Sequence, residues 1–320
     1  MEGDAVGDRF AVPLVTGLDV GGTKTLAVVV DRYQRVVASI RRLAEHRGPE
    51  GLLATVTGAL TDVADAAGVA VDAVAAVGIG VPGLVNRSNG TLSHAVNLGI
   101  ADGPFDLAGP VGALVSAPVT VANDTNLAAL GAAAILGEVD DLAFLALGTG
   151  VSVGLVLGGE VYPGSHSTAG EIGHLPIDSR GEVCECGQRG CLETVISGRA
   201  IARLWPADRS DGVGPAAALL AAAAAGDAKA IAVRDEVCGS IGAAVALVAQ
   251  SIDPELVVLG GGVAEAGPPL LEAVQAALRE RAAGSPLLAA FDLADRVAIV
   301  PAGVPVGALG AARAAWGTLL

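Results

Sequence analysis

The chain has 320 residues, of which 52% are hydrophobic and only 2% aromatic, and its formal net charge is -15. This length is sufficient for two domains, whose cores must consist mainly of Ala, Val, Leu and Ile. Such an acidic surface repels phosphate backbones and anionic lipid, so we expect neither nucleic-acid nor membrane binding, although backbone N–H groups could still hold a nucleotide.

The apolar pattern predicts strands that alternate with helices. A strand, a glycine turn and a second strand open the chain, at 14–17, Asp19–Lys24 and 26–30, and this arrangement is not a βαβ unit. The segment 172–193 is glycine-rich and irregular. The further predicted elements are, in chain order, a helix over 51–67, strands over 74–81 and 119–122, a helix over 125–136, a hairpin of 142–147 and 151–157, helices over 198–204, 216–225 and 228–251, a strand over 256–259, a helix over 269–283, a strand over 297–299 and a helix over 306–319.

No segment has the pattern of an export signal. The first residues include Glu2, Asp4 and Asp8, where a signal peptide has basic residues. The uncharged run 142–159 approaches membrane-spanning length, but its Gly148-Thr149-Gly150 turn favours two buried strands. We therefore expect a cytoplasmic protein.

Three glycine loops each follow an apolar strand, at Asp19–Lys24, Gly148–Gly150 and Gly260–Gly262. Glycine allows the backbone to approach a ligand and to direct N–H groups at phosphate oxygens. Asp19 could hold a hydrated Mg²⁺, and Thr23 with Lys24 could donate to phosphate. Any one loop is equally well explained as a tight turn, but three at strand ends favour nucleotide binding. Their spacing matches neither the dinucleotide fingerprint nor the P-loop.

The cysteines are clustered. Cys184, Cys186 and Cys191 lie within eight residues, shortly after His174. In a reducing compartment such a cluster indicates a metal site before disulfides. One imidazole and three thiolates complete a tetrahedral Zn²⁺ site with no open position, so we expect structural zinc, the alternative being buried free cysteines. Cys238 is far away in a helical stretch and is expected to be a core residue.

Asn123-Asp124 lies between a predicted strand and a predicted helix. A carboxylate there could take the proton of an attacking hydroxyl during phosphoryl transfer. The alternative is a helix cap, for which both residue types are suited.

These motifs together resemble the ROK family of sugar kinases, within the actin/hexokinase-like superfamily. The resemblance rests on Asp19–Lys24, on Val121–Asn126, on Ala169–His174 and on the C-x-C-G-x-x-G-C-x-E pattern that ends at Glu193, and it extends from Leu14 to the final helix. It implies an α/β fold of two related actin/hexokinase-like (ribonuclease H-like) domains with an interdomain cleft and a structural zinc site. The implied domains are 1–121 plus 302–320, with the phosphate loop, and 122–301, with the zinc motif and part of the ATP site.

The resemblance also implies roles for individual residues. Asp124 corresponds to the general base, Glu171 and Glu193 to carboxylates that bind the sugar, and His174 to a residue that faces both zinc and sugar. Further implied sugar-binding residues are Gly83, Asn97 and Asn123. The implied ATP-binding residues are Asp19, Gly21, Gly22, Thr23, Lys24, Gly148, Thr149, Gly150, Gly260, Gly261 and Gly262, with Mg²⁺ as a second cofactor.

Two departures from the family pattern concern the substrate. The family often has Glu after the Asn-Asp helix begins (A-A-L-G-E), whereas here Gly131 is followed by Ala132. The loop 164–168 lacks the Ala-Asn-Gly run of glucose-specific members. We expect phosphorylation of the 6-hydroxyl of glucose from ATP, with N-acetylglucosamine, N-acetylmannosamine, fructose and an amino-sugar as alternatives.

A second functional class remains open, because the family includes sugar-responsive repressors that keep the zinc motif. Those carry an N-terminal winged helix-turn-helix, and the phosphate loop here begins at Asp19, so we expect an enzyme. A non-catalytic sugar sensor is the other alternative. The resemblance also implies a homodimer or homotetramer.

Overall fold

The computed structural model describes residues 13–44, 48–100, 103–206 and 212–319. In these ranges the strands are β1 (Val15–Val20), β2 (Lys24–Val30), β3 (Val36–Leu43), β4 (Ala76–Val81), β5 (Leu84–Asn86), β6 (Thr91–Ser93), β7 (Phe105–Asp106), β8 (Val119–Asn123), β9 (Leu142–Leu147), β10 (Val151–Leu157), β11 (Glu160–Val161), β12 (Leu256–Gly260) and β13 (Val297–Ile299).

The α-helices are α1 (Pro49–Ala67), α2 (Ala108–Val115), α3 (Asp124–Ile135), α4 (Glu193–Ile196), α5 (Gly198–Leu204), α6 (Pro215–Ala224), α7 (Ala228–Ile252), α8 (Pro268–Ala283), α9 (Pro286–Ala289) and α10 (Val306–Trp316). Short 3-10 helices cover Val71–Ala73, Val96–Leu98, Ile172–His174 and Ala264–Ala266. Among the described helices, none has both the length and the apolar character required to cross a membrane.

The chain divides into two compact units. Unit 1 comprises Met1–Ile135 with Pro305–Leu320, and unit 2 comprises Leu136–Val304. The expected division, after residues 121 and 301, differs from this one mainly by helix α3. That helix remains in unit 1 because it packs closely along α10, where a Cβ on Gly131 would overlap the carbonyl oxygen of Val306.

Unit 1 contains a five-stranded sheet in the order β3-β2-β1-β4-β8. β1 pairs antiparallel with β2 and parallel with β4, which confirms the predicted strand–turn–strand opening. One core cluster joins this sheet to α1 and α2, and its buried members include Leu18, Val56, Leu60, Ile79 and Val111. A separate three-stranded sheet has the order β5-β6-β7.

Helix α10 lies against β1 and β4 at a pair of glycines. Gly17 and Gly78 are register partners in these strands, and a Cβ on either would overlap a backbone carbonyl of α10, at Ala308 or Ala311. Backbone therefore packs directly on backbone there. Small residues make this possible, and Ala308, Ala312 and Ala315 are fully buried against Val15 and Val28.

Unit 2 repeats the same strand order, β11-β10-β9-β12-β13, with the first three strands antiparallel and the last two added in parallel. Its core joins this sheet to α6, α7 and α8 through buried residues such as Leu145, Leu219, Ile241, Val245 and Val274. Helix α7 begins where Asp227 accepts the N–H groups of Lys229 and Ala230, both at 2.9 Å. The repeated topology confirms the expectation of an α/β fold with two related domains.

Candidate functional site

The expected site residues fall in both units, and each set is described within its own unit. In unit 1 the first glycine loop is the turn between β1 and β2, closed by the Gly21 N–H, which donates to the Lys24 carbonyl at 2.9 Å. The loop lies next to the 3-10 helix Val96–Leu98, because a Cβ on Gly22 would be 3.0 Å from the Asn97 carbonyl oxygen. The structure thus brings Asn97 next to the first glycine loop.

Asp19 is a half-buried residue near the end of β1, just before this loop. Burial, and to a smaller extent the charge of Asp124, raise the pKa of Asp19 to about 7, and the charge of Lys24 opposes the rise. Its Oδ2 would lie 2.6 Å from a Cβ on Gly307, in the first turn of α10. A cation bound beside Asp19 would favour the ionised form of its carboxyl group. An ionised carboxylate is a ligand that Mg²⁺ prefers, so Asp19 suits this ion.

Asp19 and Asp124 flank the middle strand of three parallel strands. Asp19 is in register with Gly80 of β4, and Gly80 is in register with Ala122 of β8. A Cβ on Gly80 would be 3.4 Å from the Asp124 Cα. The carboxyl ends of the strands therefore place both carboxylates at one edge of the sheet.

Asn123 supplies the cap of helix α3. Its Oδ1 accepts the N–H groups of Thr125 at 3.0 Å and Asn126 at 3.2 Å, and its Nδ2 donates to the Gly83 carbonyl at 3.4 Å. The Asp124 Oδ1 accepts a hydrogen bond from the N–H of the next residue, Thr125, at 2.8 Å. Burial raises the pKa of Asp124, and the hydrogen bonds from Thr125 oppose this. The cap and the candidate base are therefore two different side chains.

In unit 2 the second and third glycine loops lie side by side. The turn Gly148–Gly150 is closed by the Gly148 N–H, which donates to the Gly150 carbonyl at 3.0 Å. Gly261 has a φ of 82°, and a Cβ there would be 2.7 Å from the Leu147 carbonyl oxygen. Gly261 is thus required by the fold itself. Gly262 has open space, since no atom of the described residues outside its chain neighbours lies within 4 Å of a Cβ built there.

The stretch that carries Glu171 and His174 packs on the start of β10. The Val153 N–H donates to the Gly170 carbonyl at 2.8 Å, and a Cβ on Gly173 would overlap the Val151 carbonyl oxygen. The 3-10 helix Ile172–His174 is therefore held directly against the strand that leaves the second glycine loop.

Glu193 has a partner that the sequence patterns do not indicate. As the first residue of α4, it accepts the N–H of Val151 at 2.9 Å through its Oε2. The two residues are 42 positions apart, so no local spacing signals the contact. Other residues that the sequence analysis missed are Gly80, which separates the two carboxylates, and Gly307, which makes room for Asp19. Their only sequence signal is a glycine inside a strand or a helix.

The four expected metal ligands come together as a cluster of His174, Cys184, Cys186 and Cys191, whose candidate donor atoms all lie within 4.8 Å of one another. Cys184 Sγ is 3.7 Å from His174 Nδ1, and Cys186 Sγ is 3.6 Å from Cys191 Sγ. Tetrahedral Zn²⁺ with bonds of about 2.3 Å to sulfur and 2.0–2.1 Å to nitrogen separates its ligand atoms by roughly 3.5–3.8 Å, so the cluster fits the ion.

All four cysteines are free thiols. Within the metal cluster, the backbone hydrogen bond of Gln188 lowers the pKa of Cys186 to about 7, whereas burial raises the pKa of Cys191 to about 12. A cation would hold this set in its deprotonated form. Cys238 is buried in α7, outside the cluster, as expected.

Comparison with known proteins agrees with the motifs. The model of the ROK family matches residues 15–315. A glucokinase of Halalkalibacterium halodurans is 33% identical over 299 residues, 84% of this chain and 84% of the relative. A putative xylose repressor of Caldicellulosiruptor sp. is 34% identical over 197 residues, 60% of this chain and 49% of the relative.

A solved structure agrees as well. A ROK family glucokinase from Streptomyces griseus, determined in complex with glucose and AMPPNP, has a TM-score of 0.77 and 29% identity, covering 95% of this chain and 99% of that one. Both the family match over most of the chain and the fold support the resemblance found in the sequence. The chain belongs to the ROK family.

Proposed function

We propose that the chain is an ATP-dependent sugar kinase in which Asp124 is the general base. The observation that carries this proposal is that Asn123, and not Asp124, caps the start of α3. The Asp124 carboxylate is therefore not required as the helix cap. The Asp124 carboxylate stands at the carboxyl ends of three parallel strands with a raised pKa, as suits a proton acceptor.

In the proposed reaction the proton of the sugar hydroxyl passes to the Asp124 carboxylate while the hydroxyl oxygen forms a bond to the γ-phosphorus. The bond from that phosphorus to the bridging oxygen breaks, and ADP leaves. The proposed sugar-binding residues are Gly83, Asn97, Asn123, Glu171, His174 and Glu193. Their carboxylate, amide and imidazole groups suit the many donors of a polyol.

The proposed nucleotide-binding groups are the three glycine loops with Thr23 and Lys24. Bound Mg²⁺, held near Asp19, would neutralise phosphate charge. Structural Zn²⁺, held by His174 and the three clustered cysteines, would fix the orientation of the His174 ring.

The proposed substrate is glucose, phosphorylated at its 6-hydroxyl, as the name of the Halalkalibacterium halodurans relative supports. The alternative substrates are N-acetylglucosamine, N-acetylmannosamine, fructose and an amino-sugar, which differ from glucose by a hydroxyl, acetamido or amino group or by carbonyl position. The alternative class is a non-catalytic sugar sensor or regulator, supported by the similarity to a putative repressor. We further propose that the protein is cytoplasmic. We also propose that it forms a homodimer or homotetramer, and light scattering would measure this oligomeric state.

The test is ADP release from ATP and Mg²⁺ with a panel of these hexoses. Glucose should give the highest kcat/KM, and each sugar without protein serves as the background control. A different preferred hexose would correct the substrate alone. Sugar binding by calorimetry without ADP release on any member of the panel would favour the sensor and refute the kinase.

A further inference from the structure

The contact between Glu193 and Val151 has a consequence for nucleotide binding. Val151 directly follows the turn Gly148–Gly150, and its N–H is held by the Glu193 Oε2 at 2.9 Å. The same oxygen would be 2.7 Å from a Cβ on Gly150. The carboxylate therefore lies against the turn as well as bonding to the strand that leaves it.

The other end of the turn is held by the same short segment. The Gly148 carbonyl accepts the N–H of Gly198 at 2.8 Å. Residues 193–198, which form α4 and the start of α5, thus bracket the turn, with Glu193 at its exit and Gly198 at its entrance. Gly173 also packs on Val151, because a Cβ on Gly173 would overlap the Val151 carbonyl oxygen.

Glu193 has a second carboxylate oxygen for another partner. Among the described residues, only Oε2 has a hydrogen bond from the protein. Oε1 can accept a hydroxyl of a bound sugar without giving up the bond to Val151. One carboxylate would then join a sugar hydroxyl to the backbone of the glycine turn.

We propose that Glu193 is a positioning residue that couples occupation of the sugar pocket to the nucleotide affinity of the turn Gly148–Gly150. This inference rests on the proposed function. By linkage the coupling is reciprocal, so bound nucleotide should raise sugar affinity by the same factor by which sugar raises nucleotide affinity. A residue that served only as a sugar ligand would not affect nucleotide binding in the absence of sugar.

The test is the affinity for ADP with Mg²⁺, measured by calorimetry without sugar and with saturating glucose in wild type, Glu193→Ala and Glu193→Gln. Glucose should raise the ADP affinity of wild type and should leave that of Glu193→Ala unchanged, and equal effects of glucose on the two would overturn the inference. The remaining expectations concern the sugar-free protein. Alanine removes the acceptor for the Val151 N–H, so ADP affinity should fall roughly tenfold, the size expected for a lost hydrogen bond to a charged acceptor. Glutamine retains a carbonyl acceptor for that N–H, so its ADP affinity should stay within about threefold of wild type.

Glu193→Asp is the second variant, since it keeps the charge but its shorter side chain does not reach Val151, and it should resemble Glu193→Ala. Hydrogen exchange of the Val151 amide in the ligand-free protein should be faster in the Ala and Asp variants only. Thermal melting controls for folding. Wild type that binds no ADP would overturn the proposed function and this inference together. Normal wild-type binding with an unaffected Glu193→Ala variant would overturn this inference alone.

Discussion

Asp19 and Asp124 lie at the carboxyl ends of two strands separated by one strand, and the charge on Asp124 contributes to the raised pKa of Asp19. The larger cause is burial, and the resulting pKa is about 7 against an ordinary value of 3.8. Two negative charges at this edge of the sheet are therefore unfavourable. Protonation of Asp19 lowers this electrostatic cost, and a bound cation would lower it as well.

This pKa predicts a pH dependence of stability. Between about pH 4 and 7 the folded protein holds a proton on Asp19 that the unfolded chain has lost, so this residue's contribution to stability decreases as the pH rises through that window. Asp19→Asn, which stays neutral, should gain stability relative to wild type by on the order of 2 kcal/mol between pH 4.5 and 8, after discounting for solvent access. Urea unfolding without divalent cations measures it. A pH-independent difference would contradict the prediction.

Asp124→Asn should reduce turnover by a factor of roughly 10² or more, because the amide cannot take the hydroxyl proton. Sugar affinity should change far less, and stability should hardly change, because Asn123 forms the cap. The matched variant Asn123→Ala should lose about 1 kcal/mol of stability. Steady-state kinetics, sugar titration and urea unfolding separate these effects. Near-normal turnover of Asp124→Asn would remove Asp124 from the mechanism.

Cys186→Ser should reduce both zinc content and thermal stability, since the free energy of metal binding is part of the free energy of folding. Wild type should hold about one zinc per chain. Cys238→Ala is the control, because Cys238 is outside the cluster, and it should retain the metal. Metal analysis by mass spectrometry and thermal melting are the measurements. A zinc-free wild type, purified without chelators, would refute the proposed site.

Gly78→Ala should strongly destabilise unit 1, by roughly 3 kcal/mol or more, because the new methyl would overlap the Ala311 carbonyl and force α10 from the sheet. Gly239→Ala is the opposite case. Gly239 lies inside α7 with no atom within 4 Å of a Cβ, so alanine should stabilise by about 0.5–1 kcal/mol. Chemical denaturation of both variants measures the two changes in stability. Equal effects would argue against direct backbone packing of α10 on Gly17 and Gly78.

Gly262→Val tests the third loop without disturbing the fold. Since a Cβ at this position meets nothing, folding should be retained, whereas the KM for ATP should rise several-fold if phosphate approaches the loop. Gly261→Val is unsuitable for this purpose, because φ at Gly261 is 82° and Leu147 blocks the side chain. An unchanged KM for ATP in folded Gly262→Val would place the third loop outside the nucleotide site.

The sequence predicted the elements whose signal is local. The hairpin Leu142–Leu147 with Val151–Leu157 has the expected bounds, because two apolar runs enclose a Gly-Thr-Gly turn. Helix α2 was not predicted, since Gly109, Pro110 and Gly112 lie within it. Strand β3 was missed as well, because it is an edge strand with exposed residues and is specified by its pairing with β2.

The candidate site shows the same limit. The metal ligands lie within 18 positions of one another and share recognisable chemistry, so their clustering could be predicted from the sequence alone. The bond between Glu193 and Val151 joins positions far apart in the chain, and its existence depends on how α4 packs on β10. The roles of Asp124 and of the sugar-binding residues stay predictions until the variants are measured.

The packing of α10 on β1 and β4 also constrains the order in which the chain can fold during synthesis. The strands that receive this helix, β1 and β4, leave the ribosome long before residues 306–316, and all of unit 2 is made in between. Until then Gly17 and Gly78 lie on an uncovered sheet face with Val15 and Val28, while unit 2 can complete its own core. Unit 1, whose synthesis begins first, is thus expected to complete its folding last. Until α10 is made, the uncovered apolar face of its sheet is where a chaperone could bind the nascent chain.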